Sequence, residues 1–151
     1  MGLIAKLVAR LNRLRWRLSR PLTVGVRLIL VKGHAVLLIK HSYGRHWYLP
    51  GGGVKKGETL EEAARREALE EVGAMLGPLR LFGVYSNFIE HKSDHVVVFA
   101  CEEFTLTPTR TREIEAVRSF DLDHLPDDLS PGTRRRLQEY LAGGPPAAGN
   151  W

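Results

Sequence analysis

The run PGGGVKKGETLEEAARREALEEVGA, residues 50–74, constrains the fold more than any other part of this 151-residue chain. Pro50 and three consecutive glycines stop any regular element, so a loop must follow the extended residues before them. Thr59, with Glu62 three positions on, forms a capping-box pattern that starts a helix at about Leu60. On that helix Glu67, Glu70 and Glu71 are spaced by three and four, which places all three carboxylates on one side. At ~100° per residue Leu60, Ala63 and Ala64 share the side of Glu67 and Glu71, so the acids continue the inward stripe. A solvated face suits Glu61 with Arg65 and Glu62 with Arg66, where acid precedes base by four. It does not suit Glu67 and Glu71, a like-charge pair at the same spacing. Inward carboxylates are costly unless a cation neutralises them, and three oxygen donors on a rigid helix suit Mg²⁺ or Mn²⁺.

This stretch resembles the Nudix box, G-x5-E-x7-R-E-U-x-E-E-x-G-U with U a bulky aliphatic residue. The matching residues are Gly52, Glu58 and Arg66-Glu67-Ala68-Leu69-Glu70-Glu71-Val72-Gly73-Ala74, with every fixed position filled. Ala68 and Ala74 depart from the pattern by being small. The resemblance implies hydrolysis of a nucleoside diphosphate linked to another moiety, by attack of water on phosphorus. It also implies roles. Glu67 and Glu71, with Glu70 close behind, are the metal ligands, and one carboxylate of the group takes a proton from the attacking water. Gly51 or Gly52 offers a backbone carbonyl as a further ligand. Arg66 and Glu58 orient the carboxylates through an ion pair. A later acid often joins such a site, and Glu113 is favoured over Glu115 here.

The flanking pattern is mixed. Residues 22–32 and 35–41 are rich in β-branched and aliphatic residues and read as strands, and Trp47–Leu49 as a short extended piece. Strand patterns return at 79–88, 95–106 and 112–121 after a Gly77-Pro78 turn. A final helix is expected over 131–142, with Ser130 as cap and Pro131 in its first turn. The expected fold is α/β, a mixed sheet sandwiched between helices as in the Nudix fold. The domain spans 21–142, and the tail over 143–151 has the composition of a flexible end. Tyr43, Trp47, Tyr85 and Phe88 are candidates to stack on a base, and Arg45, His46 and His91 to touch phosphate.

Charge adds a second feature. The chain carries 22 Lys and Arg against 17 Asp and Glu, a net of +5. Six of those bases lie within residues 1–20, which hold no acid; removing them leaves 16 against 17, a net of −1. The body is near neutral, which argues against nucleic acid as a partner. Leu3, Leu7, Leu11, Leu14 and Leu18 recur at helical spacing in that segment, beside an arginine-rich arc. It reads as an amphipathic helix that packs on the domain, pairs two copies, or lies on anionic lipid. A cleaved targeting peptide is the weakest alternative, and Pro21 ends the pattern.

One cysteine, Cys101, excludes an internal disulfide, and no apolar run approaches the ~20 residues of a membrane span. The expected setting is cytoplasmic, with peripheral membrane contact as an option. Two function classes result: a metal-dependent hydrolase of a small nucleotide derivative, or a catalytically weak domain kept for binding. The complete acidic set favours the first.

Overall fold

The computed structural model describes residues 11, 19, 21–89, 91–109 and 111–151. The basic helix expected over 1–20 therefore lies outside the described residues, apart from Leu11 and Ser19.

Alternating and wholly apolar runs form a mixed sheet. β1 (Leu22–Lys32) pairs parallel with β6 (Lys92–Cys101), which pairs antiparallel with β5 (Arg80–Ile89). β2 (Ala35–His41) pairs antiparallel with β3 (Trp47–Tyr48) on one edge and β8 (Ile114–Asp121) on the other. β1 and β2 meet only at Val31–Val36 and Lys32–Ala35, beside the turn that joins them. From there they diverge, and the divergence opens the gap in which the site is built.

Among the described residues, each face of the sheet is covered by one helix. α1 (Leu60–Val72) sets Ala63, Ala64, Ala68 and Val72 against Val26, Leu28, Leu30, Leu37 and Ile39. Ala68 and Ala74 are fully buried, so the small residues at those two positions let the backbones approach. α2 (Pro131–Ala142) covers the other face, with Leu137 packed among Ile29, Val31, Val36, Leu38 and Val98. Both caps form as read. Thr59 and Glu62 exchange side-chain and backbone hydrogen bonds, and Ser130 accepts from the Thr133 amide.

Three elements differ from the sequence reading. The strand expected over 95–106 starts earlier, at Lys92, and breaks after Cys101. β7 (Phe104–Leu106) then pairs with β4 (Ala74–Leu76), a strand not anticipated. The tail expected to be flexible instead contains β9 (Ala147–Asn150), which adds in parallel to β5. Its anchor is a cation–aromatic cluster that tail composition does not reveal. The buried Arg136 guanidinium lies 3.7 Å from the Tyr85 ring centroid and 5.6 Å from that of Trp151. Arg136 also donates to the Asn150 carbonyl at 3.0 Å.

Candidate active site

The glycine loop enters the gap between β1 and β2 by hydrogen-bonding along β1. The Val26 amide donates to Gly52 O, the Leu28 amide to Pro50 O, and the Val54 amide to Val24 O, each at 2.9 Å. Gly51 has φ of +140°, and a Cβ there would sit 2.1 Å from Val26 O. No residue with a side chain fits. Its amide turns instead toward α1 and donates to Glu71 Oε2 at 2.7 Å. Gly52 leaves room for the second acid, because a Cβ there would lie 2.5 Å from Glu67 Oε1. The loop and the helix therefore shape one another.

Arg66 organises the remaining carboxylates. Its Nε and Nη2 grip Glu58 in a two-pronged pair at 2.7 and 3.0 Å. Nη1 donates to Glu67 Oε1 at 2.6 Å and to Glu70 Oε2 at 3.3 Å, while Nη2 also reaches the Gly53 carbonyl. Such a planar fork fixes carboxylate orientation as well as charge. Glu58 takes a further bond from the Lys55 amide. The guanidinium, then that amide, hold the Glu58 carboxyl down at about 2.

Glu71 stands apart. Among the described residues no Lys or Arg lies within ion-pair distance of it. Burial pushes its carboxyl up to about 7, helped by the negative charges of Glu67 and Glu113 and opposed by the Gly51 amide and Arg27. A desolvated carboxylate beside like charges is the donor chemistry that a divalent cation satisfies, so the residues present fit a metal. The acids are at present held by protein donors, Arg66 for Glu67 and Glu70, and Gly51 for Glu71. Among the described residues, the carboxylate cluster whose ligand atoms already converge within 4.8 Å is a different one: His34, Asp121 and Asp123. It is exposed and sits at the opposite end of β2 and β8.

Of the two later acids, Glu113 is exposed, its charge acts on Glu71, and its carbonyl accepts from the Ser42 amide at 3.0 Å. Glu115 is the extra residue of a bulge, since Lys40 pairs with Ala116 and His41 with Ile114. The bulge turns Ile114 toward the α1 core while Ala116 packs on the α2 side. Glu115 and Ile114 then line an open groove of about 420 Å³ with Glu71, Thr109, Thr111 and Val117.

The aromatic candidates separate cleanly. Trp47 is buried against Phe120, with ring centroids 4.8 Å apart. Tyr85 is buried with its hydroxyl on Glu139, and burial with that bond raises it to about 12. Both are core. Tyr43 and Phe88 remain, at 72% and 71% exposure. Tyr43 stacks on His41 at 5.0 Å, whereas Phe88 lies near the β5–β6 turn. His46 is held by the Asp128 carbonyl, and His91 occupies that same turn with φ of 65°. Sequence reading overlooked Arg27 and His41, whose charge and ring reach the site from β1 and β2. The available signal was a lone arginine in the apolar run LTVGVRLILVK.

A family model described as NUDIX domain matches residues 19–140. The ADP-ribose pyrophosphatase of Methanocaldococcus jannaschii is 32% identical over 141 residues, covering 90% of this chain and 83% of that protein. An RNA pyrophosphohydrolase of Wolbachia sp. subsp. Drosophila simulans is 48% identical, but over 50 residues only, 33% of this chain and 31% of that one. Among solved structures, a MutT NUDIX hydrolase from Burkholderia pseudomallei superposes with a TM-score of 0.71 at 30% identity. The superposition covers 78% of this chain and 97% of the other.

Proposed function

Because the chain belongs to the Nudix hydrolase family, we propose that it is a divalent-metal-dependent pyrophosphohydrolase. Its substrate is a nucleoside diphosphate linked to another moiety. The observation that carries this reading is Glu71: a largely buried carboxylate beside a glycine loop, raised to about 7, with no Lys or Arg at ion-pair distance among the described residues. A retired site kept only for binding has no use for such a group, which is unfavourable in the absence of a cation.

Glu67, Glu70 and Glu71 are the residues to hold Mg²⁺ or Mn²⁺, with the Gly51 or Gly52 carbonyl and Glu113 as further donors. When bound, the cation neutralises pyrophosphate charge and acidifies water. The protein's own contribution is positional. Arg66, itself anchored by Glu58, holds the largely buried Glu67 carboxylate and also reaches the exposed Glu70. One carboxylate of the group accepts a proton from water as the water oxygen bonds to phosphorus. The bridging P–O bond breaks, and its electron pair leaves with the departing phosphate. The cleft between β1 and β2 holds the reacting anhydride against the helix face that bears the acids.

Incubation with nucleoside triphosphates, nucleotide sugars, dinucleotides, ADP-ribose and capped RNA, with Mg²⁺ or Mn²⁺, tests the reading. Release of nucleoside monophosphate or phosphate is expected from at least one of them, and chelation abolishes it. A folded protein that cleaves nothing on the panel overturns the catalytic reading in favour of the binding domain. The described residues contain no helix long and apolar enough to cross a membrane. The N-terminal segment is proposed as the docking element, toward a second copy or an anionic surface.

A further inference from the structure

Arg27 is an odd residue to find in the middle of β1. From Val24 to Val31 the strand is otherwise apolar, and Arg27 is half-buried between Val26 and Leu28, both at 0% exposure. A guanidinium carries five donors. The one hydrogen bond it makes among the described residues is long, 3.3 Å to the carbonyl of its own neighbour Val26. No carboxylate pairs with it at ion-pair distance among the described residues. Its charge acts on Glu71 without pairing with it, so most of the guanidinium donors stay available to a negatively charged occupant.

Its surroundings say which kind. The Arg27 Cα lies 2.9 Å from where a Gly51 Cβ would be, and Gly51 is the residue whose amide holds Glu71. Arg27 therefore borders the acidic site, whose other arginine, Arg66, is fully engaged. Across the gap, at the end of β2, His41 and Tyr43 stack nearly parallel, with ring centroids 5.0 Å apart and planes 14° from each other. The His41 ring backs Tyr43, and Tyr43 itself is open to solvent. His41 Nδ1 is buried without a hydrogen-bond partner among the described residues. The charge of Arg27 reaches both rings. A guanidinium with free donors, its charge reaching an open aromatic face that is stacked from behind, matches an anionic group joined to a flat ring.

From this juxtaposition we propose that Arg27 and Tyr43 form the subsite for the nucleoside monophosphate portion of the substrate, Arg27 gripping its phosphate and Tyr43 stacking on its base. The inference rests on the pyrophosphohydrolase reading for its place in the reaction, since this portion is what hydrolysis leaves behind. His41 is a positioning residue that fixes the Tyr43 plane. The subsite recognises a purine or pyrimidine through its face, so it selects nucleotides over inorganic pyrophosphate without reading a base edge.

The test is calorimetric binding of adenosine and guanosine 5′-monophosphate and of inorganic phosphate to the full chain with Mg²⁺. A monophosphate has no anhydride to cleave, so binding is read independently of turnover. Arg27→Met is expected to weaken both monophosphates and inorganic phosphate at least ~10-fold, with partial rescue by Arg27→Lys. Tyr43→Ala is expected to weaken the monophosphates ~10-fold and leave inorganic phosphate unchanged, while Tyr43→Phe binds as the parent does. Parent-like binding by Arg27→Met, or equal loss of phosphate and monophosphate in Tyr43→Ala, overturns the assignment. Monophosphate binding of the expected pattern without hydrolysis of any anhydride instead overturns the catalytic reading and leaves the subsite standing.

Discussion

Replacing Glu71 by Gln separates two things that a buried acid does, and the two move in opposite directions. The Gly51 amide keeps an acceptor, because the Gln carbonyl oxygen can take the place of Glu71 Oε2. What is removed is the charge. In the folded chain the Glu71 carboxyl is raised from 4.5 to about 7, chiefly by burial. Between those two values the native state binds more protons than the unfolded state, so stability falls as pH rises. Below pH 4.5 Glu71 is neutral in both states and the penalty is absent; above 7 the penalty is complete. A shift of about 2.5 pH units at 1.36 kcal/mol each corresponds to roughly 3 kcal/mol. For a domain of this size that is a melting-temperature gain of roughly 6–10 °C for Glu71→Gln at pH 8. The assay is thermal unfolding of both proteins in chelator from pH 4 to 9. The curves are expected to coincide near pH 4 and separate through pH 7. Adding Mg²⁺ or Mn²⁺ then restores the parent by about 2.7 kcal/mol at one hundred times its Kd, and does little for the variant. Hydrolysis by the variant is expected to fall ~100-fold or more. A variant less stable than the parent at pH 8 in chelator, or stabilised equally by the cation, would falsify the assignment of Glu71 as an uncompensated metal ligand.

Glu58→Gln weakens the two-pronged grip on Arg66, and hydrolysis is expected to drop ~10–100-fold while the melting curve stays cooperative; parent-like activity would show that the clamp is idle. Gly73→Ala is expected to destabilise by roughly 1–3 kcal/mol in urea titration. Gly73 closes α1 at φ of 66°, and a Cβ there would meet the Thr107 carbonyl at 2.0 Å, so an unchanged midpoint would contradict this packing. Gly52→Ala pushes on the Glu67 carboxylate and is expected to raise the metal concentration needed for half-maximal activity, with little change in substrate KM. Deleting residues 1–20 is expected to spare kcat/KM and to change oligomeric state or binding to anionic vesicles; unfolding on deletion would make the segment part of the core instead.

The parts of the site that were legible in the sequence share one property: their meaning is local. Glu58, Arg66, Glu67, Glu70 and Glu71 lie within fourteen residues, and helical spacing alone puts the acids on one side. The capping box and the Gly73 stop are likewise set by neighbours a few positions away. What was not legible depends on residues that meet only after β1 and β2 diverge. Arg27 and His41 are fourteen positions apart, on strands that touch only at their far ends. No periodicity marks such a meeting. The bulge at Glu115 is similar, since one unpaired residue reassigns which side of β8 faces the groove, and strand alternation read from sequence assumes there is none. The tail strand is not legible for the same reason. AAGN has weak strand propensity and pairs with β5 because Arg136 and Tyr85, remote in sequence, hold the chain end.

This division has a consequence for specificity. On the proposed reading, the chemistry resides in a contiguous, short-range segment that a single helix and its preceding loop can present. The proposed recognition subsite is assembled from strands whose relation is set by the whole sheet. On the proposed reading, a substitution at Tyr43 can therefore change which nucleotide is held without touching the hydrogen bonds that hold the acids. The Arg27 side chain lies outside the Arg66 network, and Tyr43 touches α1 through no hydrogen bond. The net charge obeys the same logic. The basic excess belongs to residues 1–20, and the near-neutral body spends its charge locally, with Arg66 among three acids and Arg27 left open. On the proposed reading, an anionic substrate is then held by the open Arg27 guanidinium and by a cation at Glu71, rather than by a broad positive surface.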